Sequence, residues 1–244
     1  MDIKGLIKKS LPPSMVLGAL SFKHKLWGVP ELRLLKKLVK PGTDSLDIGV
    51  YMGVFSINMA RYAKKVYAFE PHPKHFAFAK RALPANVEVL NLALSDTTFE
   101  TELVVPVKYP SAGSLSKDFT NEQVERFKVQ AKPLDSFGFD NVSCMKIDAE
   151  GHEFNIIKGG RETILRNKPN LIVEIEQRHI DIDIEEVFRS IQEMGYLGYF
   201  YQNNEVLGID LFDKKVHQPV DLIGKYNVYI NNFIFVPKDS TIDF

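Results

Sequence analysis

Short apolar runs and amphipathic helical patterns alternate along most of the chain. The runs predict strands over residues 45–48, 65–70, 87–90, 142–147 and 170–175. Apolar residues at helical spacing predict helices over residues 54–62, 73–83, 153–165 and 184–194. Such alternation is typical of a parallel sheet with right-handed crossovers and helices on both faces. The pattern therefore predicts an α/β fold.

Other segments are less regular. Residues 97–105 alternate and predict an additional strand, and residues 108–120 predict a loop. Residues 196–201 and 227–236 predict two late strands, which we expect to pair antiparallel. Gly159 and Gly160 weaken the predicted helix 153–165 near its end.

Residues 1–40 form a predicted N-terminal helical extension, broken at Pro12-Pro13 and ended by Pro41-Gly42. Residues 41–244 then form one domain. Basic residues beside leucines in the extension allow peripheral contact with a membrane surface; they are Lys4, Lys8, Lys9, Lys23 and Lys25. A cap packed over the main domain is the simpler interpretation, and we prefer it.

Composition excludes some function classes. Lys and Arg total 31, as do Asp and Glu, and this zero net charge argues against a general nucleic-acid binder. We expect no transmembrane segment, because no apolar stretch is long enough to cross a bilayer. The N-terminus is not a good secretion signal, so the expected location is cytoplasmic. The one cysteine, Cys144, lies in an apolar run and is expected to be buried.

The turn after the first predicted strand carries the first ligand signal. In DIGVYMG, Asp47 and Gly49 lie at the sheet edge where open α/β sheets bind ligands. Gly49 allows the chain to turn, and Gly53 allows the next helix to begin close to a ligand. A dinucleotide fingerprint needs three glycines around a pyrophosphate, which Asp47 would repel. The motif therefore favours S-adenosylmethionine, whose ammonium and sulfonium are cationic.

A second acid, Glu70, follows the second predicted strand and precedes Pro71. Its oxygens can accept both ribose hydroxyls of a nucleoside. The segment after the third strand is expected to lie over the adenine edge. Alternatively, Asp47 and Glu70 could each cap a helix. The predicted cofactor contacts are Asp47, Gly49, Tyr51, Gly53, Glu70, Pro71, Ala93, Leu94, Ser95 and Asp148.

The segment KIDAEGHE, residues 146–153, is the densest polar cluster and directly follows a buried strand. Ionisable groups there are costly unless they are used or solvated. Asp148 is expected nearest the transferred methyl group, where it could orient the acceptor hydroxyl, take its proton or bind the cofactor ammonium. His152 is a second candidate base. For Glu153 we prefer a role in starting the next helix.

The next predicted strand ends in IVEIEQRH, where Glu174 is expected to face the acceptor. With Asp148 and Glu176 it could form an oxygen site for Mg²⁺, but the ligand count does not favour a metal. The loop 108–120 is either a lid that contacts substrate or an ordinary solvated loop. The predicted catalytic residues are Asp148, His152 and Glu174. The predicted substrate contacts are Ser114, Glu150, His152, Glu174 and His179.

Several segments together resemble the FkbM-type S-adenosylmethionine-dependent methyltransferases: DIGVYMGVFSINMA, VYAFEPHP, LNLALSD, PLDSF, KIDAEGHEFNIIKGG and IVEIEQRH. The resemblance, over about residues 43–179, implies a class I methyltransferase Rossmann-like fold with a seven-stranded, mostly parallel sheet and an antiparallel last strand. It also implies O-methylation, often of a sugar hydroxyl in a glycan, glycolipid or natural product. Tyr51-Met52 departs from the family pattern and is expected to reshape the methionine end of the pocket.

Two other functions stay open. A methyltransferase-like module could bind cofactor or a glycan without turnover. A nicotinamide-dependent oxidoreductase is disfavoured by the missing third glycine. The expected partner is a small-molecule or glycan acceptor, and exposed late strands could pair in a homo-oligomer.

Overall fold

Eleven strands form two sheets in the computed structural model, which describes residues 11–116, 123–225, 228–242 and 244. The strands are β1 (Asp44–Ile48), β2 (Lys65–Phe69), β3 (Val87–Leu90), β4 (Ala93–Ser95), β5 (Phe99–Pro106), β6 (Val124–Pro133), β7 (Val142–Ile147), β8 (Asn170–Glu174), β9 (Tyr196–Gln202), β10 (Glu205–Gly208) and β11 (Asn232–Pro237). The predicted late strand 227–236 is observed from Asn232 onward, and residue 227 lies outside the described residues.

Helices cover the main sheet. They are α1 (Pro13–Trp27), α2 (Glu31–Leu38), α3 (Val54–Met59), α4 (Pro73–Ala82), α5 (Glu153–Gly159), α6 (Arg161–Asn167), α7 (Ile184–Glu193) and α8 (Lys214–His217). The amphipathic pattern explains α7, which buries Ile184, Val187, Phe188 and Ile191 on one face. Its start is capped by the Asp183 side chain, which accepts a hydrogen bond from the Glu185 amide.

The main sheet has the strand order β10-β9-β11-β8-β7-β1-β2-β3. In this sheet, β8, β7, β1, β2 and β3 are parallel to their neighbours in that row. Strand β11 lies between β8 and β9 and is antiparallel to both. The predicted antiparallel pairing of the late strands is therefore confirmed. The predicted count of seven strands is wrong by one, because β10 adds a hairpin at the edge. Asn203 and Asn204 form that turn with φ values of 52° and 66°. Pairing between subunits stays a prediction.

A second sheet has the order β4-β6-β5. Its strand β5 corresponds to the predicted strand over residues 97–105. The sequence pattern did not predict β4 or β6. Strand β4 has only three residues, and β6 carries charged side chains and exposes most of one face. This sheet places the end of β4 beside the carboxyl edge of the main sheet.

The predicted helix over residues 153–165 is two helices, α5 and α6, because the chain bends at Gly159-Gly160. A Cβ atom at position 159 would lie 1.9 Å from the Ser95 carbonyl oxygen. The glycine therefore allows α5 to pack directly on β4.

The N-terminal extension packs on the main domain, with α1 against α3 and α4, and α2 against α3. Leu17 in α1 is fully buried, as are Leu35 and Leu38 in α2. The opposite face of α1 exposes Met15 and Phe22, and contact of this face with a membrane stays a prediction. Lys4, Lys8 and Lys9 lie outside the described residues. No helix in the described part of the chain is long and apolar enough to cross a bilayer.

The core is centred on the inner strands of the main sheet. All six residues of β7 are buried, as are the last four residues of β1. Cys144 is fully buried, as predicted, and it lies in register with Ser45 on one side and Asn170 on the other. These strands hold their carboxyl ends, and the residues that follow them, in fixed positions.

Candidate active site

A cavity of about 460 Å³ lies at the carboxyl edge of the main sheet, where β1, β2, β7 and β8 end. This size is typical of small-molecule and cofactor sites. The structure brings ten of the predicted site residues together in its lining: Gly49, Tyr51, Glu70, Pro71, Ala93, Leu94, Asp148, Glu150, His152 and Glu174.

The turn after β1 is held between two neighbouring strand ends. The Gly49 amide donates to the Phe69 carbonyl at 3.0 Å, and the Asp148 amide donates to the Ile48 carbonyl at 2.9 Å. Gly49 has a φ of 85°, and a Cβ atom there would lie 1.7 Å from the Asp148 carbonyl oxygen. Only glycine fits this close approach, which brings the turn and the Asp148 segment to one wall of the cavity.

Glu70 is fixed by two backbone amides. Its Oε2 accepts from the Tyr51 amide at 2.6 Å, and its Oε1 accepts from the His72 amide at 2.8 Å. Tyr51 has a φ of 48°, an uncommon conformation for a residue other than glycine. Burial raises the pKa of Glu70 to about 7, against the effect of both amides. Each carboxylate oxygen can still accept a further hydrogen bond from a ligand.

Asp47 does not line the cavity. Its carboxylate is buried and accepts a hydrogen bond from the hydroxyl of Ser56, in the first turn of α3. Burial raises the pKa of Asp47 to about 6, and the Ser56 hydrogen bond opposes this shift. Asp47 therefore contacts the first turn of α3, and its role as a cofactor contact stays a prediction. Gly53 also lies outside the lining, where it precedes α3 with a φ of 83° and packs on Leu83.

Lys146 lies buried between two carboxylates of the cavity. Its Nζ is 3.6 Å from Oδ2 of Asp148 and 3.8 Å from Oε2 of Glu174. The Asn231 side chain donates to the other Glu174 oxygen at 2.7 Å. Burial first, and then the Asp148 charge, raise the pKa of Glu174 well above its usual range.

His152 is buried between two serine hydroxyls. Its Nε2 is 2.8 Å from Oγ of Ser95, and its Nδ1 is 2.7 Å from Oγ of Ser116. The Ser95 hydroxyl donates to the Asp96 carboxylate at 3.1 Å. Burial lowers the pKa of His152, which favours the neutral ring. Ser95 supports this ring from outside the cavity lining.

Three predicted substrate contacts form one cluster at the cavity wall. Ser114 donates from its hydroxyl to the Glu150 carbonyl at 2.7 Å, and Nδ1 of His179 lies 3.2 Å from the Glu150 carboxylate. Of these three residues, Glu150 alone lines the cavity. In the predicted loop, Ser111 and Gly113 also line it, whereas residues 117–120 lie outside the described residues.

Glu153 has the structural role that we preferred for it. Its carboxylate accepts from the amides of Ala149 and Gly151, at 2.8 Å and 3.1 Å, just before α5 begins. Burial raises the pKa of Glu153 to about 7, and these hydrogen bonds oppose the shift.

The three acids that could have held Mg²⁺ are not all brought together. Glu176 lies outside the cavity lining, and its Oε2 accepts from Arg178 and from the Tyr229 hydroxyl, both at 2.5 Å. Within the described ranges, no group of three or more His, Cys, Asp or Glu side chains is arranged to hold a metal ion.

The structure adds lining residues that the sequence patterns did not indicate. The rings of His72 and His75 stack beside Glu70 with their centroids 4.0 Å apart. Their separation by three residues at the start of α4 was the one sequence signal that they lie together. Tyr229, Asn231 and Asn232 come from the segment before and at the start of β11. Glu31 comes from α2, in the N-terminal extension. These last four residues lie far in sequence from the motifs of the site, so the motifs did not indicate them.

A model of the Methyltransferase FkbM domain matches residues 47–197, which is more than half of the chain. The chain belongs to the FkbM methyltransferase family. The predicted family membership is thus confirmed, and the match runs from the end of β1 to the start of β9. The helices α1 and α2 of this FkbM-family chain lie outside it.

Several solved structures resemble this chain. The crystal structure of methyltransferase FkbM from Methylobacillus flagellatus matches with a TM-score of 0.51 at 13% identity, covering 88% of this chain and 52% of that one. This chain thus spans about half the length of that protein. A SAM-dependent methyltransferase from Aquifex aeolicus matches with a TM-score of 0.46 at 14% identity, covering 93% and 98% of the two chains. A Streptococcus mutans protein in complex with SAH matches with a TM-score of 0.43 at 10% identity, covering 85% and 95%.

No curated protein sequence matches the chain. The family match and the Methylobacillus structure, together with the strand order of the main sheet, confirm the predicted α/β class I methyltransferase fold.

Proposed function

We propose that this protein is an S-adenosylmethionine-dependent O-methyltransferase that acts on a hydroxyl group of a sugar-like acceptor. The observation that carries the proposal is the set of acidic side chains in the cavity lining. Its described lining residues include five carboxyl groups and no lysine or arginine. These acids are Glu31, Glu70, Asp148, Glu150 and Glu174. Such a lining attracts a cationic nucleoside and repels the pyrophosphate of a dinucleotide.

The residues present fit this cofactor. Glu70 is held by two amides at the end of β2, where a nucleoside ribose binds in open α/β sheets. The apolar side chains of Leu92 and Leu94 line the same cavity and offer a surface for the adenine ring. Gly49 leaves the turn beside Asp148 free of a side chain. When bound, the cofactor would supply a methyl group on an electrophilic sulfonium.

The chain's own residues would then position the acceptor and take its proton. Methyl transfer needs alignment of the reacting atoms, exclusion of water and removal of one proton. The Asp148 carboxylate lies at the cavity surface, with Lys146 beside one of its oxygens. His152 lines the same cavity, and burial lowers its pKa, which favours the neutral ring that a general base requires. We assign Asp148 to the acceptor hydroxyl and His152 as the second base.

A sugar-like acceptor is supported by the remaining lining. Polar groups that suit hydroxyl-rich ligands are contributed by Ser111, Asn231 and Asn232. The aromatic rings of Tyr201 and Tyr229 offer flat faces for a pyranose ring. Pockets that combine apolar or aromatic walls with a few fixed polar groups are typical of specific small-molecule sites.

The test combines calorimetry with turnover. We expect the protein to bind S-adenosylhomocysteine but not NAD, and to transfer labelled methyl groups from S-adenosylmethionine to members of a glycan and sugar panel. Binding of NAD alone would refute the methyltransferase assignment. Binding of S-adenosylhomocysteine without transfer to any acceptor would favour a non-catalytic binding module.

Variants separate chemistry from binding. Asp148→Asn should lower kcat about 100-fold, as loss of a general base does, and change S-adenosylhomocysteine affinity less than about threefold. Asp140→Asn, an exposed acid in the turn before β7, is the matched control and should leave both unchanged. An unaltered kcat in the Asp148 variant would reject its role as base.

A further inference from the structure

Glu31 reaches the cavity from outside the family-matched segment. It is the first residue of α2, and that helix is anchored by the buried residues Leu32, Leu35 and Leu38. The Glu31 side chain is only 5% exposed, and the residue lines the cavity together with Gly28 and Val29 of the preceding turn. Part of the cavity wall is therefore built by the N-terminal extension.

Glu31 differs from the other acids of the cavity in its hydrogen bonding. Glu70 accepts from two amides, and Asp148 and Glu174 share the ammonium of Lys146. Within the part of the chain that the structure describes, Oε2 of Glu31 is buried and has no hydrogen-bond partner. A buried carboxylate oxygen without a partner is costly, and a cationic ligand removes that cost.

Burial raises the pKa of Glu31 to about 7, while its own backbone amide and then the charge of Lys146 act in the opposite direction. Glu31 comes from the start of α2, whereas Glu70 follows the end of β2, so the two carboxyl groups reach the same cavity from different elements.

If the ribose of a ligand binds Glu70, its amino-acid portion lies in the same cavity as Glu31. That portion carries an ammonium group with three donors, and a carboxylate oxygen is the acceptor it requires. We propose that Glu31 binds the α-ammonium group of the cofactor's methionine portion. This inference rests on the proposed function and deepens it, because it makes the N-terminal extension part of the cofactor site.

The test uses three ligands that differ at one end. S-adenosylhomocysteine has the complete amino acid. Its analogue with hydrogen in place of the α-amino group keeps only the carboxylate, and 5′-methylthioadenosine lacks the amino-acid portion. Calorimetry measures the affinity of the wild-type protein and Glu31→Gln for each ligand. Glu186→Gln, an exposed acid in the first turn of α7, is the matched control.

In the Glu31 variant, we expect the Kd of S-adenosylhomocysteine to rise about tenfold or more, as for loss of a charge-assisted hydrogen bond. The Kd values of the deaminated analogue and of 5′-methylthioadenosine should change less than about twofold, since these ligands lack the ammonium. Retained binding of 5′-methylthioadenosine also shows that the variant is folded. The Glu186 variant should match the wild type for all three ligands.

Two results would overturn the inference. An unchanged affinity for S-adenosylhomocysteine would show that Glu31 does not bind the ammonium. Equal weakening of all three ligands would show that Glu31 only supports the cavity wall. If the wild-type protein binds none of the three ligands, the proposed cofactor itself is wrong, which separates failure of the proposed function from failure of this residue assignment.

Discussion

Replacing Lys146 with methionine removes the buried cation between two cavity carboxylates. The Lys146 ammonium lies 3.6 Å from Asp148 and 3.8 Å from Glu174. At an effective dielectric constant of about 20, two unit charges about 4 Å apart interact by about 4 kcal/mol. Much of this attraction is offset by desolvation, but removal of one partner leaves the other charges uncompensated, which costs about 3–5 kcal/mol for a buried pair.

We expect Lys146→Met to lower the free energy of unfolding by about 3 kcal/mol. This value is at the low end of the cost for a buried pair, because both carboxylates keep some solvent contact. For a domain of this size, that corresponds to a fall in Tm of about 6–12 °C. Urea unfolding and thermal melts at pH 7.5 measure both quantities. The control is Lys65→Met, which breaks the exposed pair between Lys65 and Glu88 and should cost less than about 1 kcal/mol.

A double variant tests the cause of the loss. Glu174→Gln in the Lys146→Met background removes one of the two carboxylates and should restore at least about half of the lost stability, since buried pairs can be replaced by neutral groups at little cost. If Lys146→Met is no less stable than Lys65→Met, or if the second substitution restores nothing, the electrostatic account of this cluster is wrong.

Two further predictions concern the cavity walls. In thermal melts, Gly49→Ala should unfold the protein or lower its Tm far more than Gly42→Ala does. Both glycines have a positive φ, but only a Cβ atom at position 49 would collide with backbone atoms. Equal losses of Tm in the two variants would refute this account. The second prediction compares Glu153→Gln with the wild type by urea unfolding at pH 5 and at pH 8. The free energy of unfolding of the variant, relative to that of the wild type, should be about 2 kcal/mol higher at pH 8 than at pH 5. Burial raises the pKa of Glu153 from 4.5 to about 7, so the stability that its protonated form contributes is lost as pH rises through that window. If the stability difference between the variant and the wild type does not change with pH, the raised pKa of Glu153 is contradicted.

The main sheet could be predicted because its inner strands are continuous apolar runs. Strands β1, β7 and β8 are buried on both faces, so each can be identified as a strand from its own sequence. Strand β6 carries charged and polar side chains that point to solvent, so its sequence resembles a loop. The hairpin to β10 had a readable signal in Asn203-Asn204, because paired asparagines suit a turn with two positive φ values.

The positions of the site residues could be predicted better than their contacts. Strand ends locate Asp47, Glu70 and Asp148 at one edge, but the alternation of side chains along β1 directs Asp47 toward α3, away from the cavity. The pattern of α2 shows a buried face, whereas its position over the cavity depends on long-range packing. No local pattern could therefore indicate that Glu31 lines the same cavity as Asp148.

The lone thiol of the protein gives a direct probe of the central sheet. Burial raises the pKa of the Cys144 thiol to about 12, so the reactive thiolate is scarce as well as shielded. Maleimide labelling of the native protein should therefore proceed only when β7 separates from its neighbours, and the labelling rate then reports opening of the sheet. A cysteine introduced at an exposed position near the cavity could be labelled selectively without removing Cys144, which allows fluorescence measurements of ligand binding on an otherwise unaltered chain.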